Sequence, residues 1–115
     1  MGRILVARAY DDIPAGRRFL VDRIWPRGVA KADLEPMTWL KDAAPSTELR
    51  RWFGHDPARW EEFRRRYGAE LDARPDVLAP LREALQRGDV VLLFGAKDTE
   101  HNNAVVLRDL LQAFG

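Results

Sequence analysis

A dense run of titratable and hydrogen-bonding side chains, Lys97-Asp98-Thr99-Glu100-His101-Asn102-Asn103, stands between two apolar stretches. A histidine can give or take a proton near neutral pH, and a lysine meets an anion as a point charge. These residues suit acid–base work on an anionic guest. His101 would titrate, Asp98 or Asn102 would orient it, and Lys97 would face the negative charge. A well-capped helix start with a solvated turn accounts for the same residues, with Asp98 or Thr99 as the cap and His101 and Asn102 in the first turn.

A second cluster is Val21-Asp22-Arg23-Ile24-Trp25-Pro26-Arg27-Gly28. Arg23 and Arg27 flank a tryptophan–proline pair. This reads as an arginine clamp with an aromatic wall, suited to a phosphate or carboxylate on a flat ligand. In the competing structural reading, Asp22 pairs with Arg23 and Trp25 packs in the core. A third candidate is His55, within Trp52-Phe53-Gly54-His55-Asp56-Pro57. There Gly54 ends one helix and Asp56 starts the next. His55 is either an exposed corner residue or a second acid–base or ligand-binding group.

The elements that must position these residues follow from periodicity. Residues 4–7 and Phe19-Leu20-Val21 read as strands, and Trp39-Leu40 as a third short strand or part of a helix. Ser46 is a plausible cap for a helix over 47–53. Asp56 with Pro57 opens a longer helix, on which Trp60, Phe63, Tyr67 and Leu71 share a face. Pro75 breaks it, and a further helix runs to Arg87, ended by Gly88. Val90–Phe94 is apolar at consecutive positions, as in a parallel strand buried on both faces. Its polar exit precedes the last helix. Helix N-termini attract anions, and in open α/β sheets ligands sit beyond the carboxyl ends of strands. The expected fold is α/β: a single compact domain spanning 1–115, with a small parallel or mixed sheet covered by helices. The joint site requires the end of the second strand to lie beside the end of the last.

Composition narrows the chemistry. With 115 residues, 46% of them apolar, the chain can bury a core of its own. No apolar run reaches the roughly 18 residues of a membrane span, and the N-terminus reads as a strand rather than a leader, so a cytoplasmic location is expected. Cysteine is absent, which excludes disulfides and thiolate chemistry. Two histidines without helical metal spacing argue against zinc, and no glycine-rich phosphate loop is present. No cofactor is expected. Ser46 is the one serine and has a capping role. The net charge is only +1, although 16 of the 19 cations are arginine. That balance weakens a general nucleic-acid field.

Four stretches resemble the YeaO-like family, a bacterial group with a domain of unknown function. They are Leu20–Gly28, Trp39–Ser46, Trp52–Pro57 and Ala96–Ala104, and they span nearly the whole chain in order. Related branches carry cysteine near the position of Gly95 and the final turn. This chain has none, so their thiol chemistry does not transfer. The resemblance implies a small cytoplasmic α/β domain and supplies no reaction. From the residues, the preferred function is an enzyme, or a degenerate enzyme-like binder, for a small phosphorylated or carboxylated metabolite. Two rivals stay open. One is a nucleic-acid-binding or regulatory module using arginines and Trp25, Trp39, Trp52 and Trp60; the other is a protein–protein adaptor.

Overall fold

The computed structural model describes residues 2–114. Four parallel strands form one sheet in the order β1-β4-β2-β3, with β1 at Ile4–Arg8, β2 at Arg17–Leu20, β3 at Met37–Trp39 and β4 at Val90–Phe94. The last strand in the chain is therefore central. Its register pairs Val90 with both Ile4 and Arg17, and Leu93 with both Ala7 and Leu20. All five residues of β4 are buried, which explains why they are apolar without alternation.

The two faces are covered differently. Val90, Leu92 and Phe94, with Phe19 and Val21, face a helical layer. That layer comprises α2 (Thr47–Phe53), α3 (Trp60–Asp72), α4 (Ala79–Arg87) and α5 (Asn103–Phe114). Phe63, Tyr67 and Leu71 form the buried stripe of α3, as their spacing predicts. Val91, Leu93 and Leu20 point the other way. They are covered by irregular chain bearing Ala9, Trp25 and Val29 and by one-turn helix α1 (Lys31–Leu34), which buries Leu34.

Local signals explain most boundaries. Ser46 Oγ accepts the Leu49 N–H at 3.2 Å and caps α2, and left-handed Gly54 ends it. Asp56 accepts the Ala58 N–H, but the turn it opens, Pro57–Arg59, is 3-10 before α3 begins. Pro75 likewise starts a 3-10 turn ahead of α4. Met37–Trp39 is a strand, not a helix, because it pairs with β2. The second strand starts two residues and ends one residue earlier than expected, so Val21 and Asp22 already belong to its exit.

Candidate functional site

β2 and β4 are hydrogen-bonded neighbours, so their carboxyl ends open side by side. Between them and α2 lies a hollow of about 350 Å³. Its floor is tied together by Asp22. One carboxylate oxygen accepts the Gly95 N–H at 2.8 Å; the other accepts Asn103 Nδ2 at 3.1 Å. Asn103 also donates to the Val21 carbonyl at 2.7 Å. Asp22 thus staples the exit of β2 to the exit of β4 and to the start of α5, rather than pairing with Arg23. Gly95 leaves room for this contact: a Cβ there would stand 3.2 Å from Asp22 Oδ2, a tight approach, and 3.7 Å from Pro26 Cβ. Burial lifts the Asp22 carboxyl above its ordinary value of 3.8, against the pull of the Gly95 N–H, Asn103, Arg50 and His55.

Around this floor stand Arg23, Arg27, Arg50, His55, His101 and Asn102. Arg23 Nε donates to the Pro45 carbonyl at 3.4 Å. Among the described residues, none of the three guanidiniums has a carboxylate within 4.0 Å. Asp22 is the one acidic residue in the lining. The lining therefore carries three guanidiniums against a single carboxylate, an excess of positive charge within a concave wall.

Both histidines of the chain reach this hollow. His101 Nδ1 lies 2.9 Å from Asp98 Oδ2, and its ring meets Trp60 edge-on at 5.1 Å. Asp98 also accepts the N–H groups of Glu100 and His101. The Glu100 N–H is the chief reason its carboxyl sits below the ordinary value, with the His101 ring assisting. The carboxylate thereby holds the ring through Nδ1. His55 adopts a left-handed backbone, φ 57°, directly after left-handed Gly54. For a residue with a Cβ that conformation costs on the order of 1–3 kcal/mol; here it brings an exposed imidazole to the rim.

The structure moves several expected residues. Asp98 and Thr99 do not cap the last helix. Asn102 does, with Oδ1 accepting the Val105 N–H at 3.1 Å, because Asp98 is already spent on the preceding turn. His101 and Asn102 therefore precede α5 instead of filling its first turn. Asn102 is 3% exposed, and its Nδ2 donates to the Asp98 carbonyl. Lys97 does not join the group: it is exposed and outside the lining, since the turn carries it away from the strand ends. Trp25 lines the hollow and also packs on the second sheet face, with its indole N–H on the Val29 carbonyl and its ring 5.2 Å from Trp39. Arg50, Asn103 and the rim residues Tyr10 and Ile24 were not anticipated. Arg50 looks like one more surface cation on an amphipathic helix, and no local signal distinguishes it. Asn103 touches Asp22 across 81 positions of sequence. Among the described residues, no group of three or more His, Cys, Asp or Glu side chains converges to hold a metal. No helix there is long and apolar enough to cross a membrane.

A parallel α/β sheet with an arginine-lined hollow at its strand ends defines the class. Comparison places the chain within it. Residues 3–114 match the model of the inactive DUF488-N3 subclade. The chain is 44% identical to the uncharacterized protein Mb3100c of Mycobacterium bovis over 95% of its own length and 93% of that protein's. It is 40% identical to the uncharacterized protein YeaO of Escherichia coli over 92% and 94%. The chain belongs to the YeaO-like family. No solved structure matches it significantly.

Proposed function

We propose that this protein binds a small phosphorylated or carboxylated metabolite in the hollow between the β2 and β4 exits, as a binder descended from an enzyme-like scaffold. The supporting observation is the convergence of Arg23, Arg27 and Arg50, none held by a carboxylate within 4.0 Å among the described residues, around one concave site. Guanidiniums grip such anions through two parallel hydrogen bonds. His101, held by Asp98, lines the same hollow and offers a further hydrogen-bonding group. The word inactive in the matched family's description favours binding over turnover.

The nucleic-acid reading has less support. Arg65 and Arg66 both grip Glu62, at 2.6 and 2.8 Å, and their hydrogen bonds hold its carboxyl down at about 2. Arg64 reaches Glu61 and Asp109. The basic run on α3 is thereby tied to acidic partners. All four tryptophans are half-buried and divided between the two faces of the sheet, Trp25 and Trp39 on one and Trp52 and Trp60 on the other, so they form no continuous stacking track of the kind single strands need.

The test is calorimetry and thermal shift with inorganic phosphate, sulfate, acetate and succinate on wild type and on Arg23→Gln/Arg50→Gln. A ligand of the native state raises the melting temperature. Stabilisation by at least one of these anions that disappears in the double variant supports the reading. Stabilisation that survives both substitutions, or none in the wild type, rejects it.

A further inference from the structure

The hollow is far larger than a bare anion requires. Its volume of about 350 Å³ equals roughly a dozen waters at about 30 Å³ each, and lies near the lower end of ligand-sized cavities. Its walls are also unlike an inorganic-anion site. Among the described residues, the large apolar side chains counted as exposed are Tyr10, at 45%, and Ile24, at 56%, and both line this hollow. Single exposed apolar residues need no explanation, but two on one rim form a patch. Trp25, Pro26 and Phe53 continue that surface inward.

The two walls of the hollow differ in what they carry. Arg50 and His55 both lie close enough to act on the Asp22 charge, and Arg23 leans on Pro45, just ahead of the helix that carries Arg50. Two of the three lining guanidiniums, Arg23 and Arg50, therefore stand on the α2 side, while Arg27 stands with Tyr10. Tyr10 belongs to the opposite, β1 side, where its hydroxyl donates to the Arg27 carbonyl at 2.8 Å and the Arg8 guanidinium stacks 4.8 Å from its ring centre. A guest filling both halves has an anionic head and a flat apolar body. Asp22 at the floor disfavours a polyanion.

Resting on the anion-binding reading, we infer that the guest is an aromatic acid: one ring system carrying one phosphate or carboxylate, with the head toward Arg23 and Arg50 and the ring against Tyr10, Ile24 and Trp25. The head can be either anion, because guanidinium recognises both. The ring is the new requirement.

Amide chemical-shift titrations of the full chain separate the parts. The probes are phenyl phosphate against inorganic phosphate, benzoate against acetate, and benzyl alcohol as the ring without a charge. At least one ring-bearing acid should bind about tenfold or more tighter than its ringless counterpart, since burying a ring and covering Ile24 is worth that much. Ile24→Ser, at an exposed position, should erase most of the gain and leave the ringless anion unchanged. Equal affinity of phosphate and phenyl phosphate, and of acetate and benzoate, overturns the inference. So does indifference to Ile24→Ser. If the ringless anions still bind through Arg50 in that case, the anion-binding reading survives alone. Absence of all binding, or benzyl alcohol binding as well as the acids, rejects both.

Discussion

The two ends of the sheet carry cavities of opposite character. At the amino ends of the strands, Arg17, Thr38, Glu83, Arg87 and Asp89 line a groove of about 530 Å³, larger than the hollow at the carboxyl ends. Yet three of the four charged side chains in its lining, Glu83, Arg87 and Asp89, are in ion pairs. Arg87 meets Glu83 at 3.3 Å, Asp89 is held by Arg3 at 3.2 Å, and Arg17 donates to Thr38 at 2.7 Å. At the carboxyl ends, Arg23, Arg27 and Arg50 line a smaller space, without such pairs within reach among the described residues. Volume does not distinguish a site from a surface groove; the supply of unmatched hydrogen-bonding charge does. The difference follows from topology, because parallel strands release their chain toward one end, where loops from distant positions meet.

The contrast can be broken most forcefully through Asp22. Asp22→Ala orphans the Gly95 N–H and one Asn103 donor, and at about 1–3 kcal/mol for each buried group left unpaired a loss of about 3 kcal/mol is expected in urea unfolding. Asp89→Ala, at the other end, should cost much less because its partner Arg3 is exposed. A smaller loss for Asp22→Ala would mean that the staple does not organise the site. Next come the cations. Arg23→Gln or Arg50→Gln should weaken anion binding about tenfold, the worth of one charge-assisted hydrogen bond, whereas Arg87→Gln and Lys97→Ala leave the calorimetric affinity unchanged. An equal loss from Arg87→Gln would erase the distinction between the two ends.

Smaller effects sharpen the picture. Asn102→Ala removes the cap of α5 and should cost about 1 kcal/mol, read as a lower denaturation midpoint. His55→Gly relieves a left-handed residue and should gain up to about 1 kcal/mol while removing a rim imidazole. The two aspartates also separate by pH. Asp22 has a raised pKa in the folded chain, so its ionised form opposes folding. That opposition is complete above the raised value and fades as pH falls from there toward 3.8, its ordinary value. Asp98 has a lowered one, so its contribution is present above 3.8 and is lost as pH falls through the lowered value. Carboxyl carbon NMR should find Asp22 titrating above 3.8 and Asp98 below it; the reverse order would contradict the burial of Asp22.

Much of this arrangement was legible in local pattern. The apolar run of β4, the cap at Ser46, the corner at Gly54 and the stripe on α3 each follow from a few neighbouring residues. The adjacency of the β2 and β4 exits was a requirement of the proposed site, and the register meets it. What stayed hidden depends on long-range packing. Arg50 faces the hollow only because α2 lies across the strand ends, and Tyr10 and Ile24 looked like loop residues until folding placed them on one rim. Lys97 stands outside the hollow because closeness in sequence to Asp98 and His101 is not closeness in space across a turn.

The order β1-β4-β2-β3 also bears on how the chain is made. A nascent polypeptide emerging from the ribosome has β1, β2 and β3 long before the strand that joins them. Until residues 90–94 are exposed, β1 has no neighbour to pair with. Until Asn103 follows, the floor under the arginines is incomplete. Completion of the sheet therefore waits until β4 is made. A carboxy-terminal truncation would leave apolar strand edges open to aggregation instead of a smaller working domain.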